Sequence, residues 1–508
     1  MPTPRPDART LRTLVLDPGS WVSWDLPVVR GEVSPGYAAE LLAAAEKSQQ
    51  DESVITGEGR LRGRRVAVVA GEFGFLAGSI GVAAAERLIA AVERATEEGL
   101  PLLAAPVSGG TRMQEGTVAF LQMIGITAAI ARHKEAGLPY LVYLRHPTFG
   151  GVLASWGSLG HVTIAEPGAS IGFLGPRVYE ALHGEPFPAG VQTAEHLAER
   201  GLIDAVVPPE EIAGIADRAL SVLAARRTWH TDVAGAPRPT ADDGTEHDDP
   251  EDGRPAWDSV LASRRPDRPG VRRLLRTAAT DVVGLSGTGA GEKDPGLLLA
   301  LARFGGAPCV VLGQDRRGQS LSAPLGPGAL REARRGMRLA AELRLPLVTL
   351  IDTPGAALSR EAEEGGLAAE IARCLQELVM LSAPTIAVLL GQGTGGGALA
   401  LVPADRVLSA ANGWLGPLPP EGASVIVHRT IDRADEMAAA QGVRATDLWR
   451  AGIVDRVVPE RPDAADEPVE FCARLGRVLG QELAGLLSRA DDERFRARLH
   501  RYRTLGRP

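Results

Sequence analysis

"GQGTGGGALAL", Gly391–Leu401, places five glycines in seven positions and then runs into helix-forming residues. Glycine weakens regular structure by about 0.5–1 kcal/mol relative to alanine, so a cluster this dense marks a backbone with a special task. Immediately upstream, "TIAVLL" (Thr385–Leu390) reads as a short buried strand. The glycines therefore sit where a strand turns into a helix. Unpaired N–H groups at such a turn form a ready site for a negatively charged oxygen.

The pattern occurs twice. "LPLLAAPVSGGTR" (Leu100–Arg112) and "LPLVTLIDTPGAA" (Leu345–Ala357) are both apolar strands that run into glycine. A helical segment follows each, then a second strand with its own glycine turn: "LPYLVYLRHPTFGGVLAS" in the first half, "APTIAVLLGQGTGGGALA" in the second. Gly110 to Gly151 spans 41 residues and Gly355 to Gly397 spans 42. Each half later carries a matching phrase, "GLIDAVVP" from Gly201 and "GIVDRVVP" from Gly452. Three landmarks in one order at one spacing identify an internal duplication of a β/α unit. The two halves are expected to share a strand order, with Gly110 matching Gly355 and Gly151 matching Gly397.

Between the halves runs "WHTDVAGAPRPTADDGTEHDDPEDGRPAW" (Trp229–Trp257), acidic, rich in Pro and Gly and nearly free of large aliphatics. It reads as a linker, because it has too little apolar surface to bury. The expected domains are 1–228, a linker at 229–257, and 258–508.

The remaining composition narrows the function. The 508 residues suffice for two cores, and 44% hydrophobic with 23% charged residues is ordinary for a globular chain. A net charge of −8 gives no general basic field for nucleic acid. The three cysteines, Cys309, Cys374 and Cys472, make no CxxC pair and no disulfide framework, which points to a reducing compartment. "MPTPRPDART" lacks the apolar core of a signal peptide, and every apolar run breaks short of the ~18–20 residues of a membrane span. A cytoplasmic protein is expected. No Lys-Ser/Thr follows either glycine cluster, so neither is a phosphate-cradling P-loop. "GTGGGA" (Gly393–Ala398) superficially matches a dinucleotide fingerprint but has no acidic partner on a following strand.

Longer phrases carry a family resemblance. "VAVVAGEFGFLAGSIGVAAAERLIAAVE", "SGGTRMQEG", "PTFGGVLAS" and "IAEPGASIGFLGPRV" resemble the carboxyltransferase β subunit of bacterial acetyl-CoA carboxylase. "LPLVTLIDTPGA", "EEGGLAAEIARCLQEL", "GQGTGGGALAL", "PPEGAS" and "GIVDRVVP" resemble the α subunit. The resemblance covers roughly residues 10–225 and 260–460 and implies a fused β–α carboxyltransferase of the biotin-dependent carboxylases. It implies an α/β fold of two crotonase-like ββα-spiral domains, assembled as a homo-oligomer with active sites between the two kinds of half.

Carboxyl transfer from N-carboxybiotin to an acyl-CoA develops negative charge at the thioester oxygen and at the biotin ureido oxygen. Preorganised N–H donors stabilise such charge by about 2.7–4 kcal/mol per donor in a well-studied protease. By resemblance, Gly109, Gly110, Gly150 and Gly151 would hold the thioester, and Gly355, Gly396 and Gly397 the biotin carbonyl. The released biotin anion can accept the substrate proton, which suits a sequence with no Ser-His-Asp or paired-carboxylate signature. Acetyl-CoA is the default acceptor, giving malonyl-CoA; a malonyl decarboxylase running the same hole in reverse and a non-catalytic carboxylase subunit are the alternatives. A crotonase-type hydratase would want two carboxylates in one half and would leave the second glycine-rich half unexplained. No Met-Lys-Met biotin attachment motif occurs. The partners implied are a separate biotin carboxyl carrier protein and a biotin carboxylase, with no nucleic acid and no membrane.

Several side chains carry weaker readings. Arg112 and Glu115 in "SGGTRMQEG" either shape the substrate pocket or form a structural salt bridge. Arg62 and Arg65 in "GRLRGRR" either meet CoA phosphates, which arginine grips well, or form a solvated edge. Glu421 suits a helix cap or a biotin contact, and His146 and His161 suit structural roles better than that of a base. The family's β subunit normally opens with a four-cysteine zinc ribbon, whereas no cysteine precedes Cys309 here; His161 also stands where an acidic residue is usual. No bound metal is therefore expected: elemental analysis of the purified protein should find no stoichiometric zinc, and one tightly bound zinc per chain would overturn this reading.

Overall fold

The computed structural model describes residues 5–28, 30, 33–109, 112–173, 175, 179–180, 183–225, 254–320 and 323–504. These fall into two compact units, one of residues 1–224 with 289–291, the other of residues 225–288 with 292–508.

The sheet of the first unit orders its strands β1 (Val22–Ser23), β2 (Val54–Leu61), β3 (Arg64–Gly71), β4 (Leu102–Ala105), β5 (Tyr140–Leu144), β7 (Val162–Ala165) and β9 (Ala205–Val206). The first three are antiparallel and the rest join in parallel. A separate parallel pair, β6 (Thr148–Phe149) and β8 (Ile171–Gly172), stands beyond the end of β5. The second unit repeats the plan: β10 (Ala279–Leu285), β11 (Leu297–Phe304) and β12 (Ala307–Gln314) are antiparallel. Then β13 (Leu347–Thr353), β14 (Thr385–Gly393), β15 (Arg406–Ala410) and β16 (Arg456–Val458) follow in parallel.

The duplication read from the sequence is thus a duplication of topology, down to the turns. Arg62–Gly63 and Gly305–Gly306 each join the antiparallel hairpin with φ positive at both positions, +46° and +82° against +56° and +82°. Such two-residue turns match the twist of paired strands. Gly110 lies outside the described residues, so its match to Gly355 rests on the shared strand order alone.

Parallel strands are covered on both faces, and their sequences show it. "VAVVAG" in β3 and all of β13 are buried along their length. In the first unit the helices Val82–Glu97 and Gly116–Glu135 pack on one face through Ala84, Leu88, Val92, Ile126 and Ile130. In the second, Val271–Ala278 and Pro468–Leu487 cover one face through Leu274, Leu275, Phe471, Leu475 and Leu479.

Of the expected linker, residues 229–253 lie outside the described residues. Its end is shorter than expected: Ala256 and Trp257 already belong to the helix Ala256–Ser263. Ala256 is buried against Trp414 and Val443, a contact from far along the chain that a composition reading does not contain.

Candidate active site

In the second unit β13 and β14 leave the sheet side by side. Their register shifts between Ile351 and Thr353, which pairs with Gly393, so both strands open outward at the same level. β13 continues into Pro354–Gly355–Ala356, with Gly355 at φ +137°, and β14 into Thr394 and the short helix Gly395–Leu399. A Cβ built on Gly355 would lie 3.8 Å from Thr394 Cγ2, and one on Gly397 3.3 Å from Ala356 N. The structure therefore brings Gly355, Gly396 and Gly397 together.

The five glycines divide their labour. A Cβ on Gly391 would sit 2.5 Å from Asp352 Oδ1, on Gly393 2.4 Å from Trp414 O, and on Gly396 2.7 Å from Ile371 Cδ1. At Gly393 the close neighbour is main chain and cannot give way, whereas at Gly391 and Gly396 it is a side chain that would have to move. Gly396 and Gly397 occupy the first turn of their helix, where a helix offers no acceptor for N–H. Neither N–H, nor that of Ala356, has a hydrogen-bond partner among the described residues. The Gly355 N–H instead faces Thr353 Oγ1 at 3.2 Å. Ala356 is a donor that sequence reasoning missed, since nothing in its side chain marks it.

The first unit has the same plan. Ser108, after β4, pairs with Thr148, so the Gly109 and Gly150 loops also lie side by side. Here the donors differ. Gly109 N–H bonds to Ala77 O at 2.8 Å, and Gly150 N–H, at φ +68°, to Phe173 O at 3.0 Å. Those two glycines shape the loops with their N–H groups turned into the fold. Gly151 N–H has no hydrogen-bond partner among the described residues. Gly110 lies outside them.

Among the described residues, the second unit thus leaves three main-chain N–H groups unpartnered, those of Ala356, Gly396 and Gly397, and the first leaves that of Gly151 at the matching strand end. Residues 8–494 match the family model for the carboxyl transferase domain. The chain belongs to the carboxyl transferase domain family. It is 62% identical over 98% of both chains to the probable biotin-dependent acyl-coenzyme A carboxylase beta3 subunit of Mycobacterium tuberculosis (strain ATCC 25618 / H37Rv). It is 37% identical to the acetyl-coenzyme A carboxylase carboxyl transferase subunits beta/alpha of Salinispora tropica, covering 99% of this chain and 91% of that one. Its fold matches transcarboxylase 12S with a TM-score of 0.71 at 23% identity, over 93% of this chain and 89% of the other. It is a carboxyltransferase subunit of the biotin-dependent acyl-CoA carboxylase family, with the two crotonase-like domains that the resemblance implied.

The other side chains of this carboxyltransferase that the sequence singled out build the framework. Arg112 is wholly buried and does not reach out to a ligand. Its guanidinium donates to Ser79 Oγ at 2.8 Å, Ser79 O at 2.6 Å, Tyr37 OH at 2.9 Å and Glu52 Oε2 at 3.0 Å. Glu115 accepts from Tyr37 OH at 2.5 Å and from Val82 N at 2.6 Å, capping the helix Val82–Glu97. Burial, with Glu115 as acceptor, pushes the Tyr37 phenol up to about 12. A chiefly apolar cleft of about 950 Å³, lined by Trp24, Leu26, Tyr37, Val82 and Glu115 among others, opens beside this cluster.

Arg62 and Arg65 do not join the site. Arg62 sits in the turn before β3 and Arg65 near the start of that strand, six residues or more before Gly71, or ~20 Å along it. Arg62 pairs with Asp217, and Arg65 with Glu58 and Glu98, so both serve a surface edge. His161 is buried, its Nδ1 accepting the Tyr140 N–H, and His146 Nδ1 accepts from Ser170 N–H. Glu421 neither caps with its side chain nor stands free: it grips Arg264 through both oxygens at 2.6 and 3.0 Å. Burial keeps the thiols of Cys374 and Cys472 protonated, raising them to about 12 and about 11.

Beneath the second pair of loops lies a polar set that local sequence does not reveal. Asp352 is buried, and burial pushes its carboxyl up against the pull of Arg316, Arg268 and the Gln392 N–H. Arg316 Nη1 stands 3.6 Å from Asp352 Oδ2, close enough for charge attraction and too far for a hydrogen bond. Asp352 Oδ2 and Thr394 Oγ1 are buried without a hydrogen-bond partner among the described residues.

The Arg112 cluster generates a prediction with a definite sign. Burial would raise the Glu52 carboxyl, but the Arg112 hydrogen bonds and charge, with Ser53 N–H and Arg30, hold it below its usual range. A depressed folded value means stability is present above ~4.3, the unfolded value, and is lost as pH falls through the folded one. Glu52→Gln should lower stability at pH 7 by about 3–5 kcal/mol, because it strands a buried guanidinium. Urea titrations across pH should show the gap to wild type closing in acid; a constant gap would remove Glu52 as Arg112's ionic partner.

Proposed function

We propose that the loops of the second unit receive the ureido oxygen of carboxybiotin, and those of the first hold the thioester of acetyl-CoA or another short acyl-CoA. The observation that carries this reading is the set of unpartnered N–H groups at Ala356, Gly396 and Gly397, on adjacent segments. Those segments bring no ionised side chain of their own to the donors. Carboxybiotin, delivered by a separate carrier protein that a biotin carboxylase recharges, supplies the activated carboxyl group.

The chain's own residues orient and stabilise. Gly396, Gly397 and Ala356 donate toward the biotin oxygen as its negative charge grows, and Gly151 donates toward the thioester oxygen. Fixed dipoles of this kind need no reorganisation as charge develops. Asp352 and Arg316 lie under the loop rather than in the donor set, where they support the main chain. When bound, carboxybiotin would supply CO2 as its N–C bond breaks and leave a ureido nitrogen able to take the acyl α-proton, so that the α-carbon would bond that CO2 without a side-chain base. The product from acetyl-CoA is malonyl-CoA.

A homo-oligomer completes the reading. On the helix Gly116–Glu135, Val118, Phe120, Leu121 and Ile124 are 60%, 56%, 51% and 67% exposed, an apolar face that suits a second copy of the chain. Sedimentation at micromolar concentration should find more than one copy per particle. A monomer there would remove this part of the proposal.

The division of labour is tested at the glycines. Gly397→Ala and Gly397→Val should reduce carboxyl transfer on the order of 10²–10³-fold while acyl-CoA binding, followed by calorimetry, stays within about twofold. Gly151→Val should instead weaken acyl-CoA binding or enolisation. Thermal unfolding checks that each variant is folded, since a Cβ at 397 meets Ala356 and Leu325 at 3.3 Å. Wild-type transfer by folded Gly397 variants would mean that the glycine serves packing alone.

A further inference from the structure

We propose that Gln314 is a positioning residue, whose side-chain amide ties the glycine-rich turn to the end of β13 and so sets the spacing of the second unit's N–H donors; the inference rests on the division of labour proposed above. Gln314 is the last residue of β12 and wholly buried. Its Nε2 donates to Gly397 O at 2.7 Å, and its Oε1 accepts from Asp352 N–H at 3.0 Å. A carbonyl can only accept and an N–H can only donate, so the two partners fix which way the amide faces.

Each bond fills a gap the backbone leaves. In a longer helix Gly397 O would accept from Leu401 N–H, but the helix Gly395–Leu399 is too short, and Leu401 N–H turns to Ala398 O at 3.0 Å. Gln314 takes the place of that missing donor. On the other side, the β12–β13 ladder runs from Val310↔Leu347 to Gly313↔Leu350. Asp352 falls in the register shift between β13 and β14. The Gln314 side chain thus extends the β12–β13 connection past the last backbone pair.

The positions joined matter for the chemistry. Asp352 lies two residues before Pro354 and four before Ala356, one donor segment; Gly397 is on the other. Three successive glycines, Gly395–Gly397, leave the turn with more backbone freedom than any other residues would. An anchor on Gly397 O restricts that freedom at the residue whose own N–H is a donor. Gln319 offers a contrast: it donates to Asp352 O at 3.1 Å and accepts from Thr353 Oγ1 at 2.6 Å, bonding the β13 side only. Oxyanion donors act only within a few tenths of an ångström of their place, and a 1 Å displacement can cost on the order of 10²-fold in rate.

The test compares Gln314→Met, which removes both bonds, and Gln314→Asn, which keeps an amide one methylene too short to span both partners, with Gln319→Met. Amide hydrogen exchange by mass spectrometry on the segment 391–401 should be faster in both Gln314 variants, and unchanged from wild type in Gln319→Met. With carboxylated biotin carrier, the Gln314 variants should lose on the order of 10–10²-fold in kcat, with acyl-CoA dissociation constants within about twofold of wild type. If wild type transfers carboxyl and the Gln314 variants match it in exchange and kcat, the inference falls and the division of labour stands. If folded wild type shows no transfer, the division of labour falls, and exchange alone then decides: faster exchange upholds the tether, wild-type exchange overturns it. Equal acceleration in Gln319→Met would reduce Gln314 to general packing and also overturn it.

Discussion

The parting of β13 and β14 at their carboxyl ends is the constraint on which the candidate site depends. Parallel strands in an open sheet offer their ends as a crevice, and here the register shift leaves Asp352 unpaired on β13 and Leu390, Gly391 and Gln392 unpaired on β14. That shift puts Gly355–Ala356 and the first turn of Gly395–Leu399 against one another. The glycines then keep them in contact, because even one added carbon at 397 reaches Ala356 at 3.3 Å. A buried polar set beneath the crevice takes up the hydrogen-bonding groups that the departing strands release.

The two units share this plan and differ in how they support it. In the first, a buried ion pair between Arg112 and Glu52, with Tyr37 and Ser79, stands behind the loop. In the second, the Gln314 and Gln319 amides hold the loop, Arg268 of a buried Arg268–Glu460 ion pair donates to Leu390 O beside it, and Asp352 stands short of full pairing with Arg316. An ion pair with both side chains fully buried must keep both partners. The second unit is also the one whose loops expose the larger set of unpartnered main-chain N–H groups among the described residues.

Much of the fold was legible in the sequence because its signals are local and repeated. Apolar strands, glycine turns and the "GLIDAVVP" and "GIVDRVVP" phrases recur at one spacing, and topology followed the repeat. The site was legible at the level of loops and less so at the level of atoms. Whether Gly109 N–H faces a ligand or Ala77 O depends on a segment more than thirty residues away, and no local pattern encodes it. For Arg112 the sequence leaves a pocket wall and a structural salt bridge both open, because its partners, Glu52 and Tyr37, come from other elements. For Arg62 and Arg65 the sequence offers a CoA phosphate or a solvated edge, and their carboxylate partners Asp217, Glu58 and Glu98 lie on elements that local charge does not reveal.

A site drawn from the main chain has an evolutionary corollary. Every residue except proline has the same N–H, so substitution at the donor positions cannot improve the donor; where glycine is sterically required, it can only damage the approach. Such a centre is conservative by construction, and diversification must come from the side chains that surround it. One scaffold can then be passed among acyl substrates of different length and shape while its reaction stays the same. Relatives of this chain should therefore be told apart by what lines their clefts, and not by what lies at the heart of their loops.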